Sequence, residues 1–292
     1  MRMPAAEIEI TGELVAKLIK EQHPDLLGPL TMIANGWDNV IFRLGDDLLV
    51  RLPRRQLAAQ LVINEQEWVP VIGPGLPVRT PIPVRVGRPT DDFGWSWTIG
   101  PWLPGTPMIE LPVAERSRYA PQLAEFLAAL HRPAPADAPH NPVRGVPLSE
   151  RAALAAEHLD SGLVPDPDRL RPLWERLLQI PAWAADPVWV HGDPHPANLL
   201  VDHDQLVAVI DFGDVNAGDP ATDLAAGWLS FDATGRAAFH DHYRRLTGMD
   251  DATWDRARGW ALVIGMALLV NSDDHPQLAA VGRHALAAVA ES

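Results

Sequence analysis

Apolar residues recur at helical spacing over residues 11–22, where Leu14, Val15, Leu18 and Ile19 share one face and Pro24 closes the run. Two short apolar runs follow at 40–44 and 48–52, joined by Gly45-Asp46-Asp47, which is a hairpin signal. A helix is predicted over 56–68, stopped by Pro70. Phe93, Trp95, Trp97 and Ile99 then alternate with Gly94, Ser96 and Thr98, the period of a half-buried strand. That strand runs into the linker 100–105. Beyond it, residues 120–131, 149–159 and 171–178 are helical by spacing, with Pro172 placed in a first turn. Short β-like runs occupy 188–190, 199–201 and 207–210, and the chain is helical from Asp219 onward. The pattern predicts an α+β protein: a small strand-rich lobe over 1–99, a hinge linker over 100–105 and a larger, mainly helical lobe over 106–292.

Composition narrows the picture. A chain of 292 residues is long enough for two domains or one domain with two lobes, and for a core that needs no disulfide or metal. The absence of cysteine removes disulfide frameworks, Cys-ligated zinc and thiol nucleophiles, and suits a cytoplasmic location. With 24 Lys+Arg against 38 Asp+Glu, the net charge of −14 argues against a nucleic-acid partner. The first residues lack the apolar core of a signal peptide, and the longest apolar stretch, 260–270, is too short to span a bilayer. No membrane partner is expected, and the chain is expected to be a monomer or a homodimer. The 29 prolines are about twice the usual share of roughly 5% and cluster at 70–107 and 133–147, marking extended segments and loops.

The chemistry concentrates in His191-Gly192-Asp193-Pro194-His195-Pro196-Ala197-Asn198 and in Ile210-Asp211-Phe212-Gly213-Asp214. Asp193, Asn198 and Asp211 stand at the edges of short apolar strands. Carboxylate and amide oxygens are hard ligands that suit Mg²⁺ shared with substrate phosphates. A further carboxylate can orient and deprotonate an attacking hydroxyl. Together they equip a phosphoryl-transfer site. Two other readings use the same residues: Asp/Asn-rich hairpin turns, and a metallohydrolase with His191, Asp193 and His195 as ligands. The prolines flanking His195 and the downstream Asp-Phe-Gly favour phosphoryl transfer.

The spacing resembles the catalytic and metal loops of protein-kinase-like enzymes: Asn five residues after the Asp, then Asp-Phe-Gly thirteen after the Asn. His-Gly-Asp and His-Pro-Ala-Asn are similar to the aminoglycoside phosphotransferase family, relatives of the choline kinases. Gly218-Asp219-Pro220-Ala221-Thr222-Asp223 and the stretches 36–44 and 50–53 carry the likeness further, over about residues 30–290. The resemblance implies a protein-kinase-like two-lobed fold with its site between the lobes. It also implies direct transfer from ATP or GTP, with Mg²⁺, to a small-molecule hydroxyl acceptor. An aminoglycoside leads the acceptors, followed by a macrolide or cyclic peptide antibiotic. A sugar or amino alcohol, or nucleotide binding without turnover, are the alternatives.

The same resemblance implies roles. Asp193 would be the general base or orienting carboxylate, and Asn198 and Asp211 would hold Mg²⁺. Arg51 would be the phosphate cation, paired by Glu65, and residues 99–103, Trp102 among them, would meet the base. Gly36 and Asn39 would cradle phosphate in a loop lacking Gly-x-Gly-x-x-Gly. His191 and Asp223 would brace the catalytic loop, with Asp214 supporting it. Arg51 stands where the family pattern has Lys, keeping the charge but changing the geometry.

Overall fold

The computed structural model describes residues 5–291. Its N-terminal part pairs a helix with a sheet. Thr11 caps α1 (Gly12–Gln22), its hydroxyl accepting from Leu14 N at 3.2 Å. Strands β1 (Leu30–Asn35), β2 (Asn39–Leu44), β3 (Leu48–Pro53), β4 (Arg85–Gly87) and β5 (Trp97–Pro101) form one antiparallel sheet in the order β1-β2-β3-β5-β4. The β2–β3 hairpin pairs Leu44 with Leu48 around Gly45, whose φ of 58° is left-handed. One face of the sheet, with Phe42, Val50, Leu52 and Ile99, buries against Val15, Leu18 and Ile19 of α1. Ile41 and Leu49, half-buried, alternate onto the other face together with Arg51. That second face borders the site.

Helix α2 (Gln56–Ile72) crosses between the two parts. It continues through Pro70, past the predicted stop at Trp68. Pro70 lies in the last turn, where it removes a single ladder bond, and the flanking Val69 and Ile72 are buried in the larger core, which holds the turn in place. The predicted strand through Phe93 also differs: Phe93 sits in a turn with Thr90, and pairing begins only at Trp97. Strands β1 and β4 had no sequence signal, because their residues are mostly exposed and do not alternate.

The C-terminal part contains β6 (Thr106–Pro107), α3 (Val113–Arg116), α4 (Ala120–Leu130), α5 (Ala152–Asp160) and α6 (Pro167–Leu177). Helix α6 starts earlier than predicted, with Pro167 in its first turn, so Pro172 lies inside the helix. Two small antiparallel ladders follow: β7 (Val188–Val190) pairs with β10 (Asn216–Gly218), and β8 (Leu199–Asp202) pairs with β6 and β9 (Gln205–Val209). Helices α7 (Ala221–Leu224), α8 (Ala226–Ser230), α9 (Ala233–Thr247), α10 (Asp251–Asn271) and α11 (Pro276–Glu291) complete the lobe. The apolar stretch of α10 is buried from Trp260 to Met266. Among the described residues no helix is long and apolar enough to cross a membrane.

The β4–β5 edge is tightly specified. A Cβ on Gly87 would lie 1.9 Å from the Trp97 ring, which is fully buried in the smaller core. Gly87→Ala is therefore expected to destabilise the protein by about 1–3 kcal/mol through overpacking. A denaturant midpoint that falls at unchanged slope checks this.

Candidate active site

The two ladders carry the loops 191–198 and 210–215 side by side. Asp223, fully buried at the head of the helices, fastens the first loop: its Oδ2 accepts from His191 N at 2.7 Å and its Oδ1 from Gly192 N at 2.8 Å. His131 Nε2 stands 3.1 Å from the same carboxylate, and its Nδ1 meets Tyr243 Oη at 2.7 Å. Gly192 has φ 89°, and a Cβ there would sit 2.7 Å from Asp214 O, so the loops touch backbone to backbone. His191 is an internal brace. Its Nδ1 accepts from Asp193 N at 3.2 Å, its Nε2 donates to Ile210 O at 3.0 Å, and its ring packs 4.5 Å from Phe212. Both ring nitrogens are thereby used on the backbone. The metallohydrolase ligand set of His191, Asp193 and His195 is not assembled, and among the described residues no three His, Asp or Glu side chains converge as metal ligands.

Asp193 presents its carboxylate between two cations. Oδ2 lies 3.3 Å from His195 Nε2 and Oδ1 lies 3.6 Å from Arg144 Nη2. Burial alone would raise its pKa, but His195 and Arg144 outweigh burial and hold the group well below the usual carboxylate range. His195 responds in the opposite sense. Burial would lower it and Ala197 N donating to Nδ1 at 3.2 Å favours its neutral form, yet the facing Asp193 raises its pKa. Asn198 Nδ2 donates to Asp193 O at 2.9 Å, which fixes the amide and leaves its Oδ1 without a donor among the described residues. Asp214 accepts from Asn141 Nδ2 at 2.7 Å, and burial raises its pKa.

The opposite wall is built on Arg51. Its Nη1 donates to Glu65 Oε2 at 2.5 Å and its Nη2 to Asp211 Oδ1 at 2.7 Å. Oriented to satisfy its neighbours, the Asn39 amide oxygen accepts from Arg51 Nε at 3.0 Å and Nη2 at 2.9 Å. Glu65 Oε2 also accepts from Phe212 N at 3.1 Å, so one carboxylate joins α2, β3 and the Asp-Phe-Gly segment. Burial raises the Glu65 pKa against the pull of Arg51; the Arg51 pKa is raised by Glu65 and Asp211, although burial opposes it. Asp211 takes φ 63°, a left-handed conformation that Asp tolerates better than most residues. Its side chain is 51% exposed, and among the described residues its Oδ2 has no donor. The free oxygens of Asn198 and Asp211 are hard donors of the kind Mg²⁺ takes, so the residues fit that ion.

The structure thus brings Arg51, Glu65, Asn39 and Asp211 into one cluster, and His191, Asp193, Asn198, Asp214 and Asp223 into its neighbour. Gly36 adjoins the first through its backbone N–H, which donates to Asn39 O at 2.9 Å, and its carbonyl accepts from Arg54 Nη1 at 2.8 Å. Trp102 makes its contacts at the β2–β3 turn: its N–H donates to Asp47 O at 2.7 Å and its ring lies under the Arg43 guanidinium at 3.9 Å. Asn141 and Arg144, which reach the site from the proline-rich loop, were not anticipated. Their only sequence signal is a polar pair inside a loop stretch.

A family profile described as the phosphotransferase enzyme family matches residues 29–260. The chain belongs to the phosphotransferase enzyme family. An aminoglycoside 3′-phosphotransferase of Escherichia coli is 32% identical over 114 residues, 36% of this chain and 41% of that protein, so the match spans about two fifths of the relative's length. Among solved structures of this phosphotransferase fold, the GDP complex of wild-type aminoglycoside 2′-phosphotransferase-IIIa aligns with a TM-score of 0.71 at 20% identity, over 96% of this chain and 99% of that one. The apoenzyme of a macrolide 2′-phosphotransferase from Brachybacterium faecium aligns at 0.64 and 20% identity, over 95% and 96%. These likenesses place the two-lobed fold.

The Asp193–His195 pair has a pH signature. A raised His195 pKa contributes stability that is complete below its unfolded value of 6.5 and is lost as pH rises through the folded value. A depressed Asp193 contributes stability present above 3.8 and lost as pH falls through its folded value. Histidine NMR is expected to show His195 titrating above 6.5 in the wild type and lower in Asp193→Asn, where Asp211 alone is left to oppose burial and Arg144.

Proposed function

We propose that this phosphotransferase moves the γ-phosphoryl group of ATP or GTP directly to a hydroxyl of a small molecule. The observation that carries the reading is the facing pair of clusters: Asp193 on one wall, Arg51 and Asp211 on the other, with Asn198 between. Asp193 accepts the hydroxyl proton while the acceptor oxygen bonds to phosphorus and the β–γ bridging bond breaks, its electron pair leaving on the nucleoside diphosphate. Its low basicity makes orientation of the hydroxyl the larger part of its work, with proton uptake late. Asn198 and Asp211 supply oxygens for Mg²⁺, which would neutralise charge between the nucleotide phosphates. Arg51, with its fork held by Glu65, Asp211 and Asn39, would set its positive charge beside the same region, and the half-buried Ile41 and Leu49 would give the base an apolar bed. The acceptor panel begins with aminoglycosides and macrolides, the antibiotics in the relatives' names, followed by sugars and amino alcohols.

The test is Mg²⁺-dependent release of ADP or GDP across that panel. Asp193→Asn should lower kcat by roughly 10²–10⁴-fold while ATP still raises the melting temperature. Asp211→Ala should lose the Mg²⁺-dependent part of that thermal shift as well. Wild-type turnover in Asp193→Asn would overturn the assignment. Nucleotide stabilisation without diphosphate release from any acceptor would instead favour a binding protein.

A further inference from the structure

Arg144 enters the site from the proline-rich loop between α4 and α5, and its stretch of that loop is built around one buried side chain. Asn141 Oδ1 accepts from Val143 N at 2.9 Å and from Arg144 N at 3.1 Å, an Asx turn that fixes where the Arg144 side chain leaves the backbone. The same amide turns its Nδ2 to Asp214 Oδ1 at 2.7 Å. The next residue, Gly145, donates from its N to Thr222 Oγ1 at 3.0 Å, and its carbonyl accepts from Asp219 N at 2.9 Å. Gly145 has φ 69°, and a Cβ there would lie 2.6 Å from Asn216 Oδ1. With Ala217 N donating to Pro139 O at 3.0 Å, the loop is tied from both sides of Arg144 to the segment that follows Asp-Phe-Gly.

So fixed a backbone is more than the fold itself draws from this guanidinium. Other buried arginines of the larger lobe bind structure together: Arg116 reaches the carbonyls of Ile109 and Leu111, and Arg256 reaches Asp219, Thr253 and Pro181 O. Arg144 makes one long bond, to the neighbouring Val143 O at 3.5 Å, and its buried Nε has no partner among the described residues. Its counter-ion is the Asp193 carboxylate, where Nη2 stands 3.6 Å from Oδ1 while His195 Nε2 stands 3.3 Å from Oδ2. The two oxygens are therefore approached by two cations from different segments. An aspartate carboxyl rotates in a broad, two-fold well about its last torsion, and a cation against each oxygen narrows that rotation. Both separations exceed the roughly 2.7–2.9 Å of a close charge-assisted bond, so each oxygen keeps acceptor capacity for a hydroxyl.

We propose that Arg144 is a positioning residue for the transfer, holding the Asp193 carboxylate at the angle from which it meets the acceptor hydroxyl, and that Asn141 acts through Arg144 by fixing its loop. The role in transfer rests on the phosphoryl-transfer reading, while the hold on the carboxylate can be measured without turnover.

The experiment has two readouts on the wild type, Arg144→Ala, Arg144→Lys, Asn141→Ala and the double variant of Asn141→Ala with Arg144→Ala, each first checked for a wild-type melting temperature. In the first, the protein is labelled with ¹³C at aspartate carboxyls, and the Asp193 resonance is assigned by its loss in Asp193→Asn. That resonance should be single and sharp in the wild type at neutral pH, broadened or doubled in Arg144→Ala and Asn141→Ala, and sharpened again in Arg144→Lys. A single sharp resonance in Arg144→Ala would overturn the proposal. In the second, ADP release is measured with the best acceptor of the panel. Arg144→Ala should lower kcat roughly 10–100-fold while the KM for ATP stays within about twofold, and Arg144→Lys should recover most of the loss. The double variant should fall no further than Arg144→Ala, since Asn141 acts through the same side chain. Unchanged kcat in Arg144→Ala, or a loss confined to the KM for ATP, would overturn the positioning role and leave phosphoryl transfer standing. Additive losses in the double variant would overturn the part assigned to Asn141. If the wild type releases diphosphate with no acceptor, the transfer reading fails, and the Asp193 resonance alone decides whether Arg144 holds the carboxylate. Should Arg144→Ala melt early, Arg144→Gln, which keeps the side-chain stem, takes its place in both readouts.

Discussion

The Arg51 guanidinium is the joint on which the site is hung. A guanidinium offers five donors in a fixed plane, and here they reach Glu65 on α2, Asp211 in the Asp-Phe-Gly segment and Asn39 at the start of β2. Three separate pieces of chain are thereby held to β3 at one point. Lysine could supply the charge, but a single ammonium cannot hold two carboxylates and an amide in one plane. The pairing also offsets an electrostatic cost: burial drives Glu65 toward its neutral form and raises its pKa, and Arg51 with the Phe212 amide pulls the other way. The departure from Lys at position 51 is thus matched by a second carboxylate and an asparagine placed to use the extra donors.

A second buried carboxylate does the corresponding work in the larger lobe. Asp223 accepts two consecutive backbone amides, a geometry that requires His191 and Gly192 to turn sharply, which the positive φ of Gly192 permits. Behind it, His131 and Tyr243 continue a polar chain into the core. Because such networks are costly when partly satisfied, they fix one arrangement of the loop. Asp211 is different: half of its carboxylate is engaged and half faces the cleft. The fold therefore spends its buried acids on holding the backbone and leaves an oxygen each of the exposed Asp211 and the buried Asn198 available for chemistry.

Much of this was legible along the chain, for identifiable reasons. The hairpin of β2 and β3 has a strict apolar pattern and a glycine turn, and α1 has a polar cap and one apolar face. The cluster around Asp193 is local in sequence, so short spacing encodes it. Arg51 and Glu65 were singled out through family resemblance, since a charge on a strand otherwise reads as exposed. Strands β1 and β4 escaped because their stability comes from edge pairing and not from burial. The extent of α2 past Pro70 escaped because tertiary packing of Val69 and Ile72 overrides the local breaker. Asn141 and Arg144 were invisible for a further reason: proline-rich loops carry no periodicity, and a side chain brought in from about fifty residues upstream leaves no mark at the site it joins.

That last class of residue decides what the site can recognise. The chain as a whole carries −14, so a cationic acceptor would be drawn to the molecule generally. Long-range attraction of this kind is screened within about 8 Å at physiological salt, whereas recognition at Asp193 depends on groups in contact. There the local sign is reversed. Arg144 and His195 stand against the carboxylate, while Asp214 and Asp219 are held by their own partners. The identity of the atoms that hold the catalytic carboxylate belongs to the fold, but the charge of the surroundings belongs to this chain, and selectivity follows the surroundings.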